Sequence, residues 1–250
     1  MSTMPTPPAR TGPARTDAKP APMPDHTHTL PNDLARALAG RFIVFEGPDG
    51  SGKSTQLARF LDATRAAGLN PLEVREPGGT EVGERIRNAL LEHLEREEMS
   101  LRCEMLLYMA SRAQLCEQKI RPALDAGRLV VADRFVQSTL AYQGSAGGLP
   151  EDEILAAARI ATRGVTPDAV LIFDVDEHTA AQRMNPLLRG DDLDRMEAKG
   201  AAFHRKVRQG YLNQIERDPR TNLRIDAAGC EDTVWGETLR VLEQRFLSGS

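Results

Sequence analysis

At 250 residues the chain has room for one large domain or two small ones and can bury a substantial core. Its 40% hydrophobic and 27% charged residues exclude a wholly disordered or fibrous protein. No run approaches the roughly 20 apolar residues that cross a bilayer, so no membrane partner is expected. With 32 basic against 36 acidic side chains the net charge is −4, which leaves no footprint for general nucleic-acid binding. Cys103, Cys116 and Cys230 are odd in number and lack metal-ligand spacing, so they read as reduced thiols of a cytoplasmic protein.

The first 40 residues carry eight of the sixteen prolines and few large apolar side chains. Such a segment cannot offset its ordering entropy, so residues 1–39 are expected to be a disordered tail and residues 40–250 one domain. The tail has no apolar stretch of a secretory signal, and its prolines spoil the amphipathic helix of an organelle transit peptide. His26 and His28, within it, have no partners that would make a metal site.

From Arg41 onward, short runs poor in charge alternate with helical stretches. The runs are Arg41-Phe42-Ile43-Val44-Phe45, Leu72-Glu73-Val74, Leu129-Val130-Val131-Ala132, Ala169-Val170-Leu171-Ile172-Phe173 and Asn222-Leu223-Arg224-Ile225. They read as strands buried on both faces. Helical patterns fall near 53–67, 81–94, 101–126, 151–163, 194–216 and 231–247, with Ser100 as an N-cap and Gly127 just past a helix end. This alternation predicts an α/β fold: a doubly wound, five-stranded parallel sheet with right-handed crossovers and helices on both faces.

The first strand runs into Gly47-Pro48-Asp49-Gly50-Ser51-Gly52-Lys53-Ser54, followed by Thr55, which fits the phosphate-loop pattern G-x-x-x-x-G-K-[ST] between a strand and a helix. Glycines let backbone N–H groups converge on phosphate oxygens, and the helix N-terminus adds its positive end. Lys53 is placed to neutralise the β- and γ-phosphates, and the Ser54 hydroxyl to ligate Mg²⁺. The chain is therefore expected to bind ATP or a similar nucleoside triphosphate. A second signature, Asp133-Arg134-Phe135, ends a buried strand at the edge that faces the ligand crevice. Asp133 could orient Mg²⁺ or its water shell, and Arg134 could clamp an acceptor phosphate; the alternative is a plain salt bridge at the strand end. No N-K-x-D base-recognition signature of GTPases is present.

Four separated motifs resemble the thymidylate (dTMP) kinase family, bacterial type, among the P-loop nucleoside monophosphate kinases. They are the segment from Phe42 through the phosphate loop to Thr55, then Arg75-Glu76-Pro77-Gly78-Gly79-Thr80, then Asp133-Arg134-Phe135 with Ser138-Thr139-Leu140-Ala141-Tyr142-Gln143-Gly144, and Leu193-Asp194-Arg195-Met196-Glu197. The resemblance spans about residues 41–247. It implies transfer of the ATP γ-phosphoryl to dTMP, giving dTDP on the way to dTTP for DNA replication, with Mg²⁺ accompanying ATP and a homodimer as the assembly. It also implies that Asp49 lies near the deoxyribose 3′-hydroxyl and that Arg134 binds the dTMP phosphate. Arg75 falls beside the acceptor, Ser138, Thr139 and Gln143 belong to the dTMP site, and Tyr142 crowds the sugar C2′.

Tyr108 and Arg112 are four apart and share a helical face. A ring there can stack on a pyrimidine and a guanidinium can donate to its O4, as the resemblance implies; taken alone, Tyr108 could equally be core and Arg112 a solvated face. A lid is expected over residues 182–195. Because the loop carries Gly50 where some relatives carry arginine, Arg183, Arg189 and Arg195 become candidates for charge on the transferred group, Arg189 foremost. Arg195 could instead pair with Asp194 or Glu197. Lys53, Asp133, Arg134 and Arg189 form the expected catalytic set. A different class, a nucleotide-binding interaction module without turnover, stays open, as does a kinase that also accepts dUMP.

Overall fold

The computed structural model describes residues 29–92, 97–183 and 200–248. Five strands form one sheet: β1 (Phe42–Glu46), β2 (Leu72–Arg75), β3 (Val130–Asp133), β4 (Ala169–Asp174) and β5 (Asn222–Asp226). Their order is β2-β3-β1-β4-β5, and every pairing is parallel. Each lies within one residue of its predicted run. β1 is the central strand and all five of its residues are buried, as a strand covered on both faces requires. Consecutive strands fall on either side of it, so the crevice at their carboxyl ends opens beside β1.

The helices are α1 (Asn32–Leu38), α2 (Lys53–Ala66), α3 (Glu81–Leu91), α4 (Leu101–Leu115), α5 (Arg121–Asp125), α6 (Val136–Thr139), α7 (Glu151–Thr162), α8 (Glu177–Arg183), α9 (Ala201–Arg217) and α10 (Glu231–Leu247). Side chains alternate across the sheet. Ile43, Phe45, Val131, Leu171, Phe173 and Ile225 pack with residues of α1, α2 and α10, Trp235 among them. Phe42, Val44, Val130, Ala132, Val170 and Ile172 pack on the other face with Leu115, Ile120, Phe135, Val207 and Tyr211. A smaller cluster of Met105, Met109, Leu149, Ile154, Ala158 and Ala161 joins α4 to α7.

Local signals behave as predicted at two helix ends. The Ser100 hydroxyl accepts from the Cys103 N–H at 3.3 Å, and Gly127 takes a left-handed φ of 69°. Three differences have physical causes. The expected tail reached residue 39, but Leu30, Leu34, Ala35 and Leu38 are buried in the first core. Spaced at four, Leu30, Leu34 and Leu38 make one apolar stripe that the surrounding prolines concealed. The single helix expected over 101–126 is α4 and α5 joined by a π-helical turn, Cys116–Ile120, because Pro122 brings no N–H to its preceding turn. Residues 136–146 are helical too, α6 running into a second π-helical turn, Leu140–Ala146. The stretch predicted over 194–216 is seen from Ala201 onward, and residues 1–28 and 194–199 lie outside the described residues.

Leu34 is fully buried, so Leu34→Ala is expected to lower stability by about 2–5 kcal/mol, read as a drop in the urea midpoint with an unchanged slope. A surface-like cost under about 0.5 kcal/mol would show that α1 adds nothing to the core.

Candidate active site

β1 delivers the phosphate loop to the crevice. At Gly47, whose φ is 145°, an added Cβ would lie 2.6 Å from the Phe173 carbonyl oxygen, so only glycine lets the loop leave the strand against β4. The loop turns through Ser51 N–H donating to the Pro48 carbonyl at 3.2 Å, and α2 starts at Lys53 with Gly52 at its N-cap. Its N-terminus opens into a cavity of about 630 Å³ lined by Pro48 through Gln56, Arg134, Arg183, Ala227, Gly229, Cys230, Glu231 and Val234. In this wall the buried Ser51 Oγ and Gln56 Oε1 have no partner among the described residues. Gly47 shapes the loop from behind; the other eight predicted ATP-binding residues line the cavity. Arg183 donates to the Ala227 carbonyl at 2.9 Å and to the Ser51 carbonyl at 3.4 Å, tying the end of α8 to both rims. The other two lid arginines, Arg189 and Arg195, lie outside the described residues.

The end of β3 lies beside this loop. Lys53 Nζ donates to Asp133 Oδ1 in a close ion pair. Burial and the neighbouring Arg134 charge hold the Lys53 ammonium below the ordinary lysine range, against the pull of Asp133. Burial also works to raise the Asp133 carboxyl, but Lys53 and Arg134 outweigh it and keep it below the ordinary range. Arg134 has a left-handed φ of 71°, a strained conformation for a side-chain-bearing residue. Its guanidinium donates to Asp49 Oδ1 at 2.5 Å, to the Gly47 carbonyl at 3.1 Å and to Ser138 Oγ at 3.1 Å. Tyr142 lies under it, 5.4 Å from guanidinium carbon to ring centroid, and donates its hydroxyl to Asp49 Oδ2 at 3.0 Å. Burial, together with the Asp49 carboxylate, pushes the Tyr142 phenol well above its usual value, so it stays a donor.

Beneath this set lies Glu46, fully buried. Its Oε1 accepts from the N–H groups of Phe135 and Ser138 at 2.7 and 3.1 Å. Its Oε2 accepts from Ser138 Oγ and Tyr211 hydroxyl at 2.6 and 2.9 Å. Glu46 therefore caps α6 from a strand some ninety residues earlier.

A second cavity, of about 280 Å³, adjoins the first. All nine residues predicted for the dTMP site line it: Asp49, Arg75, Tyr108, Arg112, Arg134, Ser138, Thr139, Tyr142 and Gln143. Asp49, Lys53, Ser54 and Arg134 line both cavities. Arg112 is not on a solvated face: it is 1% exposed, with Nε donating to Glu76 Oε2 at 2.7 Å and Nη2 to the Phe135 carbonyl and Thr139 Oγ1 at 2.9 and 3.2 Å. Arg75 sits at the rim, half exposed and paired with Glu84 at 2.8 Å. Sequence reasoning gave no role to Glu46 and Glu76, though both stand in quoted motifs, and did not single out Tyr211 or Arg87, which lines the smaller cavity. An acid closing an apolar strand run was the available signal for Glu46, since a buried charge needs partners; for Tyr211, in a helix far along the chain, no signal existed.

Ser54 and Asp133 offer hard oxygen donors on the walls of these cavities. Among the described residues, no group of three or more His, Cys, Asp or Glu could hold a metal by itself. That donor set fits Mg²⁺ in the form it takes with nucleotide phosphates, bound through one or two protein oxygens.

A parallel sheet ordered 2-3-1-4-5, a phosphate loop leaving its central strand, and two cavities meeting at an arginine define a P-loop nucleoside monophosphate kinase. Comparison with known proteins agrees. The family model described as "Thymidylate kinase" matches residues 45–235. A thymidylate kinase of Exiguobacterium sp. is 42% identical over 212 residues, covering 85% of this chain and 98% of the relative. One of Pelotomaculum thermopropionicum is 43% identical over 216 residues, covering 85% and 99%. The crystal structure of thymidylate kinase from Ehrlichia chaffeensis superposes with a TM-score of 0.64 at 29% identity, covering 82% of this chain and 99% of that one. The chain belongs to the thymidylate kinase family.

Burial raises the Glu76 carboxyl to about 7, against the opposing pull of Arg112. Between the unfolded value of 4.5 and about 7 the folded state holds more protons than the unfolded one, so this group's contribution to stability is complete below the lower value and is lost as pH rises through the upper one. Denaturant titrations at pH 5 and pH 8 are expected to show a more negative pH slope for the wild type than for Glu76→Gln, by on the order of 1 kcal/mol or more across that window. Equal slopes in the two proteins would mean that Glu76 titrates normally.

Proposed function

We propose that this chain is a dTMP kinase that transfers the γ-phosphoryl of ATP to the 5′-phosphate of dTMP, giving ADP and dTDP. The observation that carries the reading is Arg134, held by Asp49, Ser138 and the Gly47 carbonyl where the two cavities meet. In this reading the larger cavity takes ATP and the smaller takes dTMP. The loop N–H groups and Lys53 bind the donor phosphates, and Arg134 holds the acceptor phosphate in line with them. Asp49 orients the sugar, with the Tyr142 ring set against C2′ to exclude a ribose hydroxyl. Tyr108 stacks on the base, and Arg112 and Thr139 face its edge. Ser54 and Asp133 would hold Mg²⁺ together with ATP, and the ion would supply charge neutralisation on the phosphates. Arg183 joins the loop rim, and lid arginines, Arg189 foremost, add charge at the transferred group. A phosphate nucleophile needs no strong base, so positioning and charge stabilisation do most of the work.

The same proposal includes a cytoplasmic homodimer. Leu106 on α4 and Ile160 on α7 are 57% and 79% exposed on helices that pack together, which supports an apolar contact face. The three free cysteines suit a reducing compartment. Light scattering is expected to give a dimer mass, shifted toward the monomer in Leu106→Glu with Ile160→Glu; a monomeric wild type would remove the dimer from the proposal.

The activity test is ADP release with Mg-ATP against dTMP, dUMP, ribothymidine monophosphate, dCMP and dGMP. Turnover is expected to be fastest with dTMP and to fall by about 10³-fold in Arg134→Ala. The thymine methyl contributes only ~1 kcal/mol, so dUMP should be a poorer substrate rather than an inert one. Folded protein that binds ATP and turns over none of the panel would establish the interaction-module reading instead.

A further inference from the structure

Helix α4 carries Glu104, Tyr108 and Arg112 at a spacing of four, one above another on one face. The segment facing it carries Thr139 and Gln143, also four apart. Two buried rungs join them: Arg112 Nη2 donates to Thr139 Oγ1 at 3.2 Å, and Gln143 Nε2 donates to Glu104 Oε1 at 2.7 Å. Glu104 and Gln143 are 1% and 2% exposed. Gln143 lines the smaller cavity, and Glu104, its buried partner, is not among the lining residues.

A carboxylate accepts hydrogen bonds and does not donate them, so only the amide nitrogen of Gln143 can face Glu104. The amide oxygen is thereby turned away from Glu104, on a residue that lines the smaller cavity. We propose that Glu104 is a positioning residue for base specificity: by holding the Gln143 nitrogen it presents the Gln143 oxygen as a fixed acceptor in the acceptor-nucleotide cavity. Together with the Arg112 guanidinium, the wall then offers one donor and one acceptor. That pair complements a 4-oxo pyrimidine, whose O4 accepts and whose N3–H donates. Cytosine has the reverse pattern, an amino donor at C4 and an acceptor at N3, and meets two mismatched groups. Without the carboxylate the Gln143 amide is free to turn over and exchange donor for acceptor at the same place. The inference rests on the functional reading above and adds the residue that sets its choice of base.

The test compares wild type, Glu104→Gln, and the exchanged pair Glu104→Gln with Gln143→Glu, measuring kcat and KM for dTMP and dCMP and the KM for ATP. Folding is checked by thermal midpoint. In Glu104→Gln the ratio of kcat/KM for dTMP over dCMP is expected to fall at least tenfold, mainly through KM, with the ATP KM near wild type. In the exchanged pair the amide stands on α4 and donates to a carboxylate on the facing segment, whose second oxygen still accepts from N3–H. Preference for dTMP is therefore expected to return. A folded Glu104→Gln with an unchanged ratio overturns the assignment. If that variant does not fold, the exchanged pair decides alone: a folded pair that treats dTMP and dCMP alike also overturns it. A wild type silent toward every acceptor defeats the functional reading itself, a result distinct from an active enzyme whose ratio Glu104 does not govern.

Discussion

The structure turns on the buried carboxylate of Glu46. A fully buried charge is tolerated only when its lone pairs are filled, and here four donors fill them: two backbone N–H groups and two hydroxyls. The donors come from elements far apart in sequence. Phe135 belongs to the turn after β3, Ser138 to α6 and Tyr211 to α9, so one side chain at the end of the central strand fixes where these elements approach the crevice. The left-handed backbone at Arg134 follows from the same constraint. Its own N–H is held by the Phe45 carbonyl at 3.0 Å, and the next N–H is held by Glu46. The strain at Arg134 is thus maintained from both sides, and its result is a guanidinium at the boundary of the two cavities.

That boundary determines what the site can do. Asp49, Lys53, Ser54 and Arg134 face both cavities, so a group bound in one lies against residues that also touch the other. The cations there are anchored by named acids, Lys53 by Asp133 and Arg134 by Asp49. Both side chains are therefore positioned before phosphates arrive, and little reorganisation is needed when charge moves between them.

The three inner strands were legible in the sequence because buried parallel strands are short uninterrupted apolar runs. β2 and β5, expected to be buried on both faces, are edge strands that carry Glu73 and Arg224 and are only partly buried. The phosphate loop was legible because its glycines and Lys53 sit at fixed local spacing. The acceptor residues were found through resemblance to a family, not through spacing, since their convergence depends on four separate elements. Residues 136–146 were read as a motif and not as helix because the cap of α6 is not local: it is Glu46, which no window around Val136 contains. Arg112 was ambiguous for a related reason. Its i,i+4 relation to Tyr108 marks a face, but the burial of that face is decided by Glu76, Phe135 and Thr139. Helix α1 was concealed by composition, because the prolines around it outweighed three leucines at helical spacing.

A common arrangement links the residues that local sequence did not disclose. Glu46 and Glu104 are 0% and 1% exposed, and each is held by a side chain that lines the smaller cavity, Ser138 and Gln143. Glu46 restrains the turn of Arg134, and Glu104 holds the Gln143 amide. Placing acids behind the walls does two things at once. It fixes the orientation of the groups in front, and it leaves to the cavity walls acids that are paired with cations, Asp49 with Arg134, Glu76 with Arg112 and Asp133 with Lys53. Lost side-chain freedom is then a cost of folding and not of binding, so a site for two highly charged nucleotides can be rigid without repelling them.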